Sequence, residues 1–285
     1  MKTITRWGIA IVLAVIAAAG YYYWTQHNTS VPTDTPPVVP TVPETVPEAA
    51  PQEVPAGDTP QPIEHPLDTP EPAQTLPSVR DSDSLIAGPL SALTGKSAWN
   101  ALFYHEEIIR RIVTTIDNLP RSEASAKLWP VQPAGSWMET AGGEGNLVIS
   151  PLNAERYAAY MAVLQKIPVE KVAALYRRYY SLFQQAYADL GYPDAYFNDR
   201  LVTVIDHLLA TPEPLEAPRL VQEKVIYQFA DPDLEQRSAG QKILLRIGVE
   251  NAQVVKMKLR EFRAAITQTS VHDTTTGTSA QTSKP

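Results

Sequence analysis

PVEKVAALYRRYYSLFQQAYADL, residues 168–190, is the stretch on which the fold turns. Val172, Leu175, Tyr176, Tyr179, Leu182, Phe183, Ala186, Tyr187 and Leu190 recur at helical spacing and make an unbroken apolar face. Lys171, Arg178, Ser181 and Gln185 lie off it. Pro168 suits the first helical position, Gly191 is a natural stop and Pro193 follows. A long helix is therefore expected here, buried along one side.

The neighbouring text continues the pattern. Upstream, Ser150-Pro151 is an N-cap and first-position pair opening a helix with Tyr157, Tyr160, Met161 and Leu164. Downstream, Asp194 is expected to cap a helix with Phe197, Leu201, Val204, Ile205 and Leu208 inward, closed by Thr211-Pro212. Further out, residues 98–118 carry Leu102, Ile109, Ile112, Val113 and Ile116 on one stripe and stop at Leu119-Pro120. Asp81-Ser82-Asp83-Ser84 is a helix start, and Gly88-Pro89 predicts that this first helix is short or kinked.

Two places change period. Ser136 to Glu139 and Asn146 to Ile149 flank Gly142-Gly143 and could pair as a small hairpin. Leu220 to Phe229 alternates and is the best strand candidate, needing that hairpin or another chain as partner. Asp231-Pro232-Asp233 caps a turn or short helix, and Ser238 with Gln241 has capping-box spacing. Gly248 ends that helix, and a last one, about 250–267, buries Val255, Leu259, Phe262 and Ile266. The expected fold is mainly α: a compact domain over 81–267 of six to seven helices with a minor β element.

The flanks read differently. Residues 268–285 are rich in Thr, Ser and Gly and are expected to be a disordered tail. Residues 25–80 form a disordered acidic linker with a proline every few positions, which defeats helix and sheet alike. A spacer is the plain reading, and a ligand for a proline-binding groove the sharper one. Before it, Gly8 to Trp24 contains no charge. Its 17 residues span roughly 25 Å as a helix, the short end of a bilayer crossing. Lys2 and Arg6 precede it, no further Lys or Arg occurs before Arg80, and Trp7 and Tyr21 to Trp24 flank it as an aromatic belt. The expectation is a single-span signal anchor at 7–24 in the inner (cytoplasmic) membrane. Residues 1–6 would then be cytoplasmic, the C-terminal domain periplasmic, and the lipid bilayer the partner of the apolar run. A cleavable signal peptide, cut after Ala17-Ala18-Ala19, is the competing reading.

Charge belongs to the linker. The chain of 285 residues has a formal net charge of −7. Eight acidic residues lie between Thr25 and Val79 with no Lys or Arg among them. Setting these aside, with Lys2 and Arg6, leaves 23 acidic against 22 basic residues. There is no cysteine, which excludes disulfides, thiolate metal sites and a cysteine nucleophile.

Few residues suggest chemistry. His105-Glu106-Glu107 lacks the second histidine of a zinc-protease helix, and a packed, hydrogen-bonded core histidine is the simpler reading. His207 beside Asp206, with Thr203 and Arg200 on its face, could be an acid/base group or part of a solvated helix face. No nucleophile elbow, phosphate loop or dinucleotide fingerprint occurs. Asp231, Asp233 and Glu235 fit helix capping better than a calcium loop. Two surface features stand out. Arg156, Tyr157, Tyr160, Arg177, Arg178 and Tyr180 come from consecutive helices and could form a binding surface, with core packing by the tyrosines as the alternative. Lys256, Arg260 and Arg263 form a basic stripe suited to anionic lipid or an acidic partner, or to a salt-bridged surface. Nothing calls for a metal, a cofactor, nucleic acid or an enzyme activity.

Four blocks carry a family likeness: Ile116 to Arg121, AYADLGYPDAYFNDRL at 186–201, IDHLLATP at 205–212 and FADPDLEQRSAGQKILLRIG at 229–248. Together they resemble the uncharacterised bacterial family known as domain of unknown function 3014, over about 85–266. The resemblance implies a membrane-tethered domain with no assigned activity and supplies no catalytic residues. The functional expectation is an envelope protein whose exported domain is an interaction or scaffold module recognising another envelope protein. The alternative is a domain that binds an envelope glycan or a small ligand.

Overall fold

A computed structural model describes residues 62–69 and 75–268, except 136, 144 and 223–225. The expected anchor at 7–24, the segments 1–6, 25–61 and 70–74, and the tail from 269 lie outside the described residues. The described residues hold ten α-helices: α1 (Asp83–Thr94), α2 (Lys96–Leu102), α3 (Ile108–Asn118), α4 (Ala158–Lys166), α5 (Val169–Arg178), α6 (Tyr180–Asp189), α7 (Phe197–Leu209), α8 (Pro232–Glu235), α9 (Ala239–Arg246) and α10 (Val249–Thr267). They also hold a four-stranded antiparallel sheet, β1 (Thr140–Ala141), β2 (Leu147–Ile149), β3 (Arg219–Val221) and β4 (Gln228–Phe229), ordered as a meander. The mainly helical expectation stands; the count of six to seven does not, because two expected helices break.

The first break divides 98–118. Phe103 is extended and bridges Val131, while Gln132 N donates to Leu102 O at 2.8 Å and Tyr104 N to Pro130 O at 3.0 Å. The loop 130–132 thus takes the backbone groups that a continuous helix would need. Chain direction resets at Glu107, whose φ of 53° is left-handed, a conformation costing on the order of 1–2 kcal/mol. Asp83 offsets this from a distance, accepting hydrogen bonds from Glu107 N (2.7 Å) and Ile108 N (2.9 Å). A carboxylate from α1 therefore caps α3. The second break is at Tyr179, where φ −109° and ψ 16° turn α5 into α6. Tyr176, Tyr179 and Tyr180 are all buried around that bend. Pro168 precedes α5 as its N-cap residue rather than occupying its first position.

Elsewhere burial overrides local signals. Pro89 sits inside a full α1, held by Ile86 and the partly buried Leu85 and Leu90 against the core. Helix α7 begins at Phe197, not after Asp194, and no side chain caps it locally. The main core lies among α1, α3, α5, α6, α7 and α10, with Phe197, Ile109, Leu182, Ile205 and Ile266 at its centre. Helix α10 packs on α5 and α7, and α3 on α6 and α7. A second cluster joins Val204 and Leu208 of α7 to Leu244, Ile247 and Ala252.

The sheet forms as the hairpin expectation implied, shifted by a few residues: Thr140 pairs with Ile149 and Ala141 with Val148. The turn requires Gly142, at φ 92°, where a Cβ would overlap the carbonyl oxygen of Asn146. The single strand expected over 220–229 is two strands, with Leu220 opposite Phe229, and β3 also pairs with β2. Ile149, Leu220, Phe229 and Leu245 form the small core beneath them.

The domain begins earlier than residue 81. Glu64 N and His65 N donate to the two carboxylate oxygens of Asp199 at 3.1 and 2.7 Å, and Leu67 N donates to the Tyr196 hydroxyl at 3.0 Å. Asn198 Nδ2 donates to His65 O at 2.8 Å. Leu67 and Leu76 pack on the main core and Val79 is buried in it. The end of the expected linker is thus a strap across the start of α7. Pro-rich text can still bind a folded surface when its free N–H groups find acceptors there.

Candidate functional site

The six Arg and Tyr residues expected to share a surface are spent on different neighbours. Arg156 holds the loop before β1: Nε donates to Gly135 O and Nη2 to Ala134 O, both at 3.2 Å, and Nη1 to Asn153 Oδ1 at 2.9 Å. Its guanidinium also lies over the ring of the half-buried Tyr157. Tyr160 donates to Gln132 O at 2.8 Å, and burial raises its phenol pKa. Arg177 instead donates to Ala265 O at the end of α10, Arg178 covers the Tyr179 ring, and Tyr180 is buried with its hydroxyl on Gln184. Backbone carbonyls of other segments engage Arg156 and Arg177, and the chain bends at Tyr179 between Arg178 and Tyr180.

Two residues of the basic stripe also meet partners within the fold. Lys256 is only 3 % exposed and donates to Thr211 O (2.6 Å) and Glu213 Oε1 (2.7 Å). Arg263 grips Asp206 of α7 through two hydrogen bonds of 2.6 and 2.9 Å. Of the three, Arg260 stays exposed on the helix surface. Carboxylates on α7 and the loop after it neutralise the stripe, so the salt-bridged alternative holds.

The blocks that carry the family likeness meet in a polar seam. Asp117, 4 % exposed, accepts from Arg200 Nε at 3.0 Å and from Arg121 Nη2 at 2.6 Å, and Arg200 also donates to the Asp117 carbonyl. Arg121 reaches the Tyr192 hydroxyl as well. Nearby in the chain, His207 Nε2 lies 2.8 Å from Ser238 Oγ, and Gln241 Nε2 donates to His207 O. The His207 ring is partly buried, so it is not part of a solvated face; His105 is packed on Trp99 and hydrogen-bonded to Trp99 O at 3.1 Å as expected, but it is exposed and not in the core. Burial, then the charges of Arg200 and Arg237, lower the His207 pKa. Ser238 Oγ also accepts from Gln241 N as the α9 cap, so its own proton is free to be donated to Nε2 in the tautomer protonated at Nδ1.

A serine and histidine at this distance resemble an activated nucleophile, but the surroundings give the pair a structural role. The neighbouring amides that could stabilise an oxyanion are taken: Ala239 N donates to Arg121 O and Gly240 N to Leu119 O. A Cβ on Gly240 would meet Leu208 Cδ2 at 2.6 Å and the Cβ and carbonyl oxygen of Leu119 at 3.1 Å, so α9 lies close against α7 and Leu119 at this glycine. Among the described residues no group of His, Asp and Glu is placed to hold a metal ion.

The strongest candidate for recognition is a cleft of about 380 Å³ beside the sheet. The turn at Ile149 to Ala154 forms one wall, the loop from Pro212 to Pro218 another, and the α9–α10 junction its floor. Leu215 is fully exposed on that loop and Val249 is 48 % exposed at the start of α10. Glu213, Glu216 and Glu250 are the lining carboxylates. Glu213 is held by Lys256, then by Gln253, which lowers its pKa, leaving Glu216 and Glu250 exposed at the rim. The sequence marks this region only as a proline-rich loop; the signal to weigh was a leucine set between Pro214 and Pro218 with nothing local to cover it.

Residues 108–263 match the family described as Protein of unknown function (DUF3014), and the chain belongs to that family. No curated protein and no solved structure matches the chain significantly.

Proposed function

We propose that the chain is a single-span envelope protein whose exported domain is a protein-interaction module, and that the cleft beside the sheet is its recognition surface. The observation that carries this reading is an apolar lip, Leu215 and Val249, exposed over a cleft with acidic Glu216 and Glu250 on its rim. That chemistry suits an apolar side chain flanked by Lys or Arg on another envelope protein. The uncharged run Gly8 to Trp24 after Lys2 and Arg6 supports an anchor with the domain outside the cytosol. Among the described residues no helix is long and apolar enough to cross a membrane.

A photoreactive residue in place of Leu215, in cells, is expected to give one discrete adduct. Val249→Glu or Glu216→Lys should abolish it, and Arg178→Ala should not. An adduct indifferent to the cleft substitutions overturns the assignment. Reporter fusions after residue 80 test the compartment, and activity confined to the cytosol would overturn it.

A further inference from the structure

The strap across the start of α7 is held in one register. Asp199 accepts two successive amides, Glu64 N at 3.1 Å and His65 N at 2.7 Å, one on each carboxylate oxygen. The carboxylate makes both bonds charge-assisted. Pro66 has no N–H to satisfy. Leu67 N then donates to the Tyr196 hydroxyl at 3.0 Å, and its side chain packs on the main core. Asn198, fully buried, donates from Nδ2 to His65 O at 2.8 Å and to Ile266 O at 3.3 Å.

These contacts define what the start of α7 takes: two amide donors, a proline, then a large apolar residue that carries its own donor. Most prolines within 25–80 fail that pattern. A second proline removes a donor before Pro37, Pro62 and Pro72, and a polar residue follows Pro43, Pro47 and Pro70. Glu64-His65-Pro66-Leu67 meets it in full. Glu53-Val54-Pro55-Ala56 meets it with a side chain too small to fill the place of Leu67. The register is thus selected by α7 and not by proline content.

The strap is also replaceable. It belongs to no helix or strand, and Ile63 within it is 53 % exposed. A segment held by a few side-chain hydrogen bonds and little apolar contact opens at low cost. A foreign peptide would compete with a ligand tethered at roughly millimolar effective concentration. A second copy of the chain supplies the same segment in return for the one it takes, so every contact is kept.

We infer that the start of α7 is a peptide-recognition site for this pattern, and that two copies of the chain fill it by exchanging straps. Site and cleft share no residue, so the failure of either reading leaves the other standing.

The test uses two full-length variants, each lacking one half of the contact. Glu64→Pro with His65→Pro removes both amide donors and keeps the site, while Asp199→Ala removes the acceptor and keeps the strap. Each alone should sediment as a monomer in detergent. Mixed under different tags they should co-purify, and a synthetic peptide of residues 61–70 should separate them. If a thermal melt shows that the double proline variant does not fold, Leu67→Asp expels the strap through its side chain and serves in its place. The labelled peptide should bind the strap variant about tenfold more tightly than the wild-type chain, whose own strap competes. Adding Asp199→Ala to the strap variant should weaken the peptide about tenfold, the size of one charged hydrogen bond. A peptide of residues 51–58 should bind about tenfold more weakly, because Ala56 buries less than the leucine. A mixture no more associated than either variant alone overturns the exchange between copies. Peptide binding indifferent to Asp199→Ala overturns the site, and equal binding of the two peptides overturns its selectivity.

Discussion

The helical bundle and the sheet corner are stabilised by different amounts of buried surface. In the bundle, Tyr176 meets Phe183, Tyr180 and Phe262 edge-on with ring centroids 5.2–5.9 Å apart. Phe197 touches the same network through Phe183 and Tyr187. The sheet instead rests on four buried residues, and Leu215, Val221 and Ile226 stand exposed around it. Binding surfaces come from the less stable end of a structure because they must leave apolar groups unburied. The contrast places the larger buried core in the bundle and exposed apolar side chains at the corner.

The severest challenge to this contrast is Phe197→Ala. The ring is fully buried, and its loss should cost about 3–5 kcal/mol. Denaturant melts should show the whole domain unfolding early; a loss below about 1 kcal/mol would mean that the bundle does not set the stability. Alkali attacks the same region. Burial pushes the Tyr187 phenol up to about 12, and Tyr176 and Tyr180 higher still. The unfolded chain loses these protons from about pH 10 and the folded one retains them, so stability should fall as pH rises above 10. Circular dichroism against pH checks it, and Tyr187→Phe should soften the decline.

At the corner, Leu220→Ala should cost about 2–3 kcal/mol, the lower part of the range for such truncations. Its effect should be local. Hydrogen exchange should quicken in 140–149 and 219–229 while α5 and α7 stay protected; uniform quickening would erase the distinction between the regions. Between these extremes, Asp199→Ala removes the acceptor of two strap amides and should cost about 1.5–3 kcal/mol. Limited proteolysis should then cut within 62–75 before it touches the helices.

The smallest effect is expected in the seam. Because the folded His207 ring has a lowered pKa, the unfolded chain takes up a proton first on acidification. Stability should be full above about pH 6.5 and decline below it. His207→Gln should flatten that limb of the melting profile, and an unchanged limb would show that the ring does not contribute.

How much was legible follows from the range of each interaction. The Ser238 cap on Gln241 and the Asp231 cap on Asp233 were readable because donor and acceptor lie two or three residues apart. The α3 cap was not, since Asp83 lies 24 residues before Glu107. The basic stripe on α10 was correctly periodic, yet Asp206 and Glu213, which neutralise it, belong to another part of the chain. The cleft left no periodic trace, because it is a gap between elements rather than a property of one.

Helical periodicity in 168–190 and its neighbours was enough to determine a mainly α domain, most helix starts and stops, and the hairpin glycines, since these depend on residues within a turn or two of one another. Where α5 bends, which cations are consumed, how the strap at 62–69 docks and where apolar space stays open were decided only in three dimensions. Those outcomes depend on partners tens of residues away, and the order of residues along one element does not specify what packs against its other side.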